Sequence, residues 1–109
     1  MAQNTITIDS SVLESIARYR KVLEASRIPV QKMIVFGSHA KGRARHGSDI
    51  DVAVVSTLFG RDDVEEMQEL WKKTHLADLR IEPYPLSPED FASGSSPIVA
   101  EIREHGVVV

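Results

Sequence analysis

The sequence predicts an α/β (α+β) fold, organised as a single domain over residues 1–109. Segments with the spacing of an amphipathic helix alternate with short apolar runs of strand length. A chain of 109 residues can bury one modest core. Its 42% apolar and 27% charged residues are typical of a globular protein, and no internal repeat or linker divides it.

Composition and charge exclude several classes of protein. Cysteine is absent, which excludes disulfides and thiolate metal sites and favours a reducing cytoplasm. No apolar run approaches the ~18 residues of a membrane span, and the N-terminus lacks the pattern of a secretion signal. The net charge of −3 argues against broad binding to nucleic-acid backbones. Within this net negative charge, Lys41, Arg43 and Arg45 form a local basic cluster.

The first third of the chain predicts an arm, a helix and a strand. Residues 5–8 (TITI) alternate and indicate a short edge strand or an ordered arm. Ser11 and Glu14 have the spacing of a capping box. The apolar residues that follow predict an amphipathic helix over residues 11–25 (Val12, Ile16, Tyr19, Leu23). The β-branched run at residues 32–36 (KMIVF) predicts a buried strand.

The middle of the chain predicts a turn between two strands. Gly37 ends the first strand, and residues 38–43 predict a short helix. A second strand follows at residues 49–55 (DIDVAVV). Its first part alternates strictly, so that Asp49 and Asp51 lie on one face. Two acids therefore begin a strand that is otherwise apolar.

A helix and a third strand come next. Asp62 and Asp63 suit the first turn of the helix. Its apolar stripe predicts a buried face, with the tryptophan in the core (Val64, Met67, Leu70, Trp71). Residues 78–82 alternate and predict a strand that lies at an edge or ends early, stopped by Pro83 and Pro85.

The C-terminal segment predicts two helices and a short apolar tail. Ser87 followed by Pro88 is typical of a helix start. Residues 97–105 predict a last helix that ends at Gly106 as its C′ residue. Residues 107–109 are apolar and predict either a last strand or a contact with another chain.

The paired aspartates predict a metal site. Asp49 and Asp51 lie two residues apart on a strand, so their Cα atoms are ~6.5–7 Å apart and their carboxylates point the same way. This arrangement suits Mg²⁺, which usually takes one or two protein carboxylates and fills its shell with water and phosphate. A third carboxylate, from Glu82 or Asp78 on the next strand, would allow two metals ~4 Å apart.

The turn after the first strand predicts a phosphate site. Gly37 allows close approach of the backbone, and Ser38 begins the predicted helix, whose free N–H groups bind phosphate. Lys41 or Arg43 would neutralise charge on the nucleotide. His39 is interpreted either as a contact to the nucleotide or acceptor, or as an exposed helix residue.

These two motifs together carry a family resemblance. The stretches GSHAKG (residues 37–42) and SDIDV (residues 48–52) resemble the signature of the minimal nucleotidyltransferases of the DNA polymerase β superfamily. The resemblance implies a nucleotidyltransferase fold, a short mixed β-sheet flanked by helices. It also implies two sets of site residues, one for nucleotide binding (Gly37, Ser38, Lys41, Ser48) and one for catalysis and metal binding (Asp49, Asp51, Glu82).

Two residues depart from the family pattern. The resemblance maps the third carboxylate to Glu82 ahead of Asp78, although aspartate is commoner there. The extra methylene moves the carboxylate by about a bond length. Lys41 occupies a position where the family often has arginine. Lysine keeps the positive charge but lacks the planar guanidinium group.

The resemblance implies Mg²⁺-dependent nucleotidyl transfer with one or two ions. An acceptor hydroxyl attacks the α-phosphorus of ATP or another nucleoside triphosphate, and pyrophosphate leaves. Minimal members are often encoded beside a helical HEPN-type protein and act as antitoxins, so the expected acceptor is a hydroxyl of such a partner. The alternatives are a small-molecule acceptor such as an aminoglycoside, or a non-catalytic module that neutralises its partner by binding. The sequence leaves a homo-oligomer open.

Overall fold

The fold is a four-stranded sheet between two pairs of helices. The structure, a computed structural model, describes residues 8–94 and 96–109. The elements in chain order are α1 (Ser10–Ala25), β1 (Lys32–Phe36), β2 (Ile50–Val55), α2 (Asp63–Lys72), β3 (Ile81–Leu86), α3 (Pro88–Ser93), α4 (Pro97–His105) and β4 (Val107–Val108). This α+β architecture confirms the predicted fold class. Residues 5–7 of the predicted arm lie outside the described residues.

The strand order is β3-β2-β1-β4, and the sheet is mixed. β1 pairs antiparallel with β2 and with β4, whereas β2 and β3 are parallel. The apolar tail at the C-terminus thus supplies a last strand, in which Val108 lies opposite Ile34. The helix-containing connection from β2 to β3, through α2, is what allows these two strands to run in the same direction.

The sheet separates two apolar cores. One core joins the sheet to α1 and α2 and includes Tyr19, whose hydroxyl donates to the Leu70 carbonyl at 2.6 Å. The other core joins the sheet to α3 and α4 and includes Ile102. Ile50 and Val52 point into the first core. Asp51 lies between them in sequence, so its side chain is on the α3–α4 side of the sheet.

Helix α1 begins differently from the prediction. Asp9, not Ser11, is its N-cap, and the Asp9 carboxylate accepts from the Ser11 backbone N–H at 3.0 Å. The predicted capping box of Ser11 and Glu14 is therefore wrong. Aspartate is as good a cap as serine, and capping from Asp9 lets the helix begin at Ser10.

Strand β3 runs through both prolines, so the predicted stop at Pro83 and Pro85 is wrong. The Arg80 carbonyl accepts from the Ile50 N–H at 2.8 Å, and the Leu86 carbonyl accepts from the N–H of Ser56, just after β2, at 3.0 Å. The backbone N–H and C=O groups of the even-numbered residues in β3 therefore face β2. The missing N–H groups of the prolines therefore face the free side of the strand. Because β3 is an edge strand, no backbone hydrogen bond is lost there.

Helix α2 buries a narrower face than its apolar stripe predicts. Leu70 is fully buried, but Trp71 is 61% exposed and Val64 is 69% exposed. The prediction that Trp71 lies in the core is wrong. Positions 64, 67 and 71 share one side of the helix, and the helix turns Leu70 rather than that side towards the sheet. Among the described residues, no helix is long and apolar enough to cross a membrane.

Gly106 is required for packing. It follows α4 with φ −70°, so it lacks the left-handed conformation typical of a C′ glycine. A Cβ atom at this position would lie 2.3 Å from the Ile102 carbonyl oxygen and 2.4 Å from Cγ2 of Ile34. The last helix can therefore lie against β1 only if residue 106 has no side chain.

We expect Gly106→Ala to lower the free energy of unfolding by about 1–3 kcal/mol, because the methyl group overpacks the contact between α4 and β1. Urea denaturation measures the change. His105→Ala, at the exposed neighbouring position, is the control and should change stability by less than about 0.5 kcal/mol. Equal stability of the two variants would contradict this account of Gly106.

Candidate active site

Three acidic residues lie near the start of β2. Asp51 is the second residue of β2, and the parallel register places it opposite Glu82 on β3. Residues opposite each other in neighbouring strands point to the same face of the sheet, so the two carboxylates share the α3–α4 side. Asp49 lies just before the strand and is exposed. The site thus combines one half-buried carboxylate with two exposed ones.

The charges of these acids act on Asp51. Burial raises the pKa of Asp51, the nearby Asp49 and Glu82 carboxylates raise it further, and His39 lowers it. Like charges disfavour the ionised form of a carboxylate, and a bound cation reverses that effect. A divalent cation beside Asp51 would therefore offset the repulsion between these carboxylates.

The donor set fits a hard cation that the substrate helps to hold. Among the described residues, no group of three or more histidine, cysteine, aspartate or glutamate side chains is placed so that it could hold a metal ion by itself. A carboxylate pair is nevertheless what Mg²⁺ usually takes from a protein, since water and phosphate oxygens fill its remaining positions. Asp49, Asp51 and Glu82 supply such oxygens at one end of the sheet.

The turn after β1 lies directly against Asp51. Gly37 has φ +73°, and a Cβ atom there would lie 2.1 Å from Oδ2 of Asp51. Residues 38–43 form a turn rather than the predicted helix. The Lys41 N–H donates to the Gly37 carbonyl at 3.1 Å, and the Arg43 N–H donates to the Ser38 carbonyl at 2.9 Å. Gly42, with φ +70°, ends the helical path after one turn, so the argument from a helix N-terminus does not apply.

Lys41 and Ser48 already have protein partners. The Lys41 ammonium pairs with Oε2 of Glu101 on α4 at 2.7 Å, so it does not extend freely towards a nucleotide. The Ser48 hydroxyl accepts from the Arg45 backbone N–H at 2.7 Å and thereby closes the loop before β2. The nucleotide-binding roles of Gly37, Ser38, Lys41 and Ser48 stay predictions. Sequence reasoning missed Glu101, which lies 60 positions from Lys41 and has no local motif.

Of the two candidate third carboxylates, Glu82 is the one beside Asp51. Asp78 precedes β3 and binds Arg80 at 2.8 Å and the Ser15 hydroxyl at 2.7 Å. The hydrogen bonds from Arg80 and Ser15 hold the pKa of Asp78 well below its usual range. Asp78 thus ties α1 to the start of β3. The catalytic role of Glu82 stays a prediction.

His39 lies between the acidic site and a neighbouring cavity. It is half-buried, and its Nε2 atom has no hydrogen-bond partner among the described residues. The cavity has a volume of about 510 Å³ and is lined mainly by the start of α1 and the loop before β2, with Arg45, His46 and Arg80 as its basic residues. The alternative that His39 is an exposed helix residue is wrong, because the segment is a turn and packs inward.

We expect Asp51→Asn to raise the free energy of unfolding in metal-free buffer at neutral pH, by roughly 0.5–2 kcal/mol. The folded chain raises the pKa of Asp51, so the folded state holds this proton more tightly than the unfolded state. The contribution of Asp51 to the free energy of unfolding is therefore lost as the pH rises above the ordinary pKa of aspartate.

Urea denaturation at neutral and acidic pH measures the effect, which should vanish below the ordinary aspartate pKa. Glu14→Gln, at an exposed position of α1, is the control and should change stability little at either pH. A stability loss in Asp51→Asn would show that the carboxylate is a structural group.

Comparisons with known proteins identify the family and agree with the fold. The sequence model of the nucleotidyltransferase domain family matches residues 16–107, whereas a search of curated proteins finds no match. A candidate nucleotidyltransferase from Sulfolobus solfataricus is 18% identical, with 92% of this chain and 86% of that chain covered and a TM-score of 0.56.

Two toxin–antitoxin structures are also similar, each over 84% of this chain and 69% of the other. One, determined with AMP-PNP, is 26% identical with a TM-score of 0.59, and the other, an MntA-HpeT mutant, is 21% identical with a TM-score of 0.55. The family match spans most of the chain, and the fold of the sheet and helices agrees with it. The chain therefore belongs to the nucleotidyltransferase domain family.

Proposed function

We propose that this nucleotidyltransferase transfers AMP from ATP to a hydroxyl of a protein partner in a Mg²⁺-dependent reaction, as the antitoxin of a HEPN-type toxin–antitoxin pair. The observation that carries the proposal is the register that sets Asp51 beside Glu82, with Gly37 packed against Asp51. Carboxylates beside a glycine turn are what in-line transfer at phosphorus requires.

The residues of the site divide into those for the cation and those for the triphosphate. Asp49, Asp51 and Glu82 would hold a divalent cation, which would neutralise phosphate charge and make the attacking hydroxyl more acidic. Gly37 and Ser38 line the path of the triphosphate, where the absence of a side chain at Gly37 lets oxygen atoms approach the backbone.

The reaction is a single in-line displacement. The acceptor hydroxyl gives its proton to the carboxylate of Glu82, and its oxygen forms a bond to the α-phosphorus. The bond from that phosphorus to the bridging oxygen breaks, and pyrophosphate leaves with the electron pair.

Similarity to a toxin–antitoxin structure supports the choice of donor and acceptor. That structure, 26% identical to this chain, was determined with AMP-PNP, an analogue of ATP. A protein acceptor is also consistent with the surface of this chain. Val64 and Trp71 present a strongly exposed apolar strip on α2, and tryptophan is enriched where proteins bind each other.

We expect the wild-type chain to transfer label from α-labelled ATP to its HEPN-type partner only when Mg²⁺ is present. Asp49→Asn and Asp51→Asn should each lower the rate at least about 100-fold, because each removes charge from the cation site. Glu82→Gln should lower it likewise. Gel autoradiography with mass spectrometry of the modified residue measures the transfer.

Glu14→Gln is the control, since it removes an exposed carboxylate on α1, away from the site and from the apolar strip on α2. Label transfer that survives the double change at Asp49 and Asp51 would contradict the proposed site. Partner binding without transfer would favour a non-catalytic module. Transfer to an aminoglycoside in place of the protein would favour a small-molecule enzyme.

We expect Trp71→Ser to weaken binding of the protein partner about 10-fold or more while ATP binding is unchanged, because exposed tryptophans contribute strongly to interfaces. Isothermal titration calorimetry measures both affinities. Leu13→Ser, at a 40%-exposed position of α1, is the control. If both substitutions leave the affinity unchanged, the partner binds another surface.

A further inference from the structure

Lys41 and Glu101 form an ion pair that joins the turn after β1 to α4. The Lys41 Nζ and Glu101 Oε2 atoms are 2.7 Å apart, and each side chain is 33% exposed. Oε2 of Glu101 is out of contact with water, and Lys41 is its one ion-pair partner among the described residues. The ion pair thus places the Lys41 ammonium against a Glu101 carboxylate oxygen that water does not reach.

This ion pair holds the turn from a second side. On the first side, Ala40 is buried in the core formed with α1 and α2. On the other side, the next residue, Lys41, reaches α4, where Ile102 follows Glu101 and is buried in the opposite core. The turn is thereby fixed to both layers of helices that cover the sheet.

The position of the turn determines the surroundings of Asp51. Gly37 begins the turn, and its Cα lies so close to the Asp51 carboxylate that no Cβ atom fits between them. The Lys41 N–H bonds back to the Gly37 carbonyl at 3.1 Å. A displacement of Lys41 is therefore transmitted to Gly37 through one hydrogen bond.

We propose that Lys41 and Glu101 are positioning residues: their ion pair fixes the Gly37–Gly42 turn in the conformation that binds the triphosphate, and Lys41 does not itself contact the phosphates. The proposal rests on the proposed function. It differs from the prediction that the resemblance implied, in which Lys41 binds the nucleotide. The two roles predict opposite effects of removing the Glu101 carboxylate. If Lys41 binds phosphate directly, losing Glu101 frees the lysine and nucleotide binding does not weaken; if the ion pair positions the turn, nucleotide binding weakens.

The test compares the two single substitutions, Lys41→Met and Glu101→Gln, with their double variant and with the exchanged pair Lys41→Glu/Glu101→Lys. Lys21→Met and Glu104→Gln are controls, since each removes a like charge from an exposed position outside the turn. Calorimetry gives the Kd of AMP-PNP with Mg²⁺ for every variant. Amide hydrogen exchange at Lys41 and Arg43, the two turn donors, reports the order of the turn without any nucleotide.

We expect each single substitution to weaken AMP-PNP binding by the same factor, about 5-fold, and the double variant to be no weaker than either. Exchange of the two turn amides should become about 10-fold faster in both single variants. Lys41→Arg and the exchanged pair should restore both quantities to within about 2-fold, and the controls should stay within that range.

Weaker binding in Lys41→Met, together with unchanged or tighter binding in Glu101→Gln, would overturn the proposal and make Lys41 a direct phosphate ligand. Unchanged amide exchange in both single variants would also overturn it. If the wild-type chain does not bind AMP-PNP, the proposed function fails. The role of the ion pair in ordering the turn is then decided by the exchange rates alone.

Discussion

The parallel pairing of β2 with β3 is the interaction on which the rest of the structure depends. It places Asp51 opposite Glu82, a pair of residues that are 31 positions apart in the chain. Parallel strands need a long connection, and α2 provides it by crossing one face of the sheet. The opposite face near the start of β2 is left for the acidic side chains and the glycine turn.

This arrangement is costly for the empty protein. Asp51 is partly withdrawn from water near two other carboxylates, and both effects disfavour its charged form. A destabilised group at such a position is typical of sites that bind a charged ligand. The two cores on either side of the sheet supply the stability that this group subtracts.

Much of the fold and part of the site could be predicted from the sequence. Local signals are strong at the start of α3, where Ser87 accepts from the Asp90 N–H as its serine–proline start predicts. The acidic pair could be recognised because carboxylates rarely begin an apolar strand. Neither the turn at residues 38–43 nor the exposure of Trp71 could be predicted, since both depend on how a helix or turn is rotated against the sheet.

Long-range side-chain pairs could not be predicted either. Asp78 and Glu82 are equivalent by alternation alone. The register that sets Glu82 opposite Asp51 and the hydrogen bond from Ser15 of α1 to Asp78 separate them. Lys41 has the composition of a phosphate ligand, yet its partner is on a helix near the C-terminus. Sequence patterns report which face a residue occupies but not which distant residue meets it.

The prolines of β3 limit how this protein can meet other chains. A sheet edge usually offers N–H and C=O groups to an incoming strand, but at Pro83 and Pro85 the outward positions have no N–H. At the opposite edge, β4 is only two residues long. Among the described residues, neither edge of the sheet therefore offers an incoming strand a continuous row of N–H and C=O groups. Side chains on the helices and loops are thus the larger part of the surface open to a binding partner.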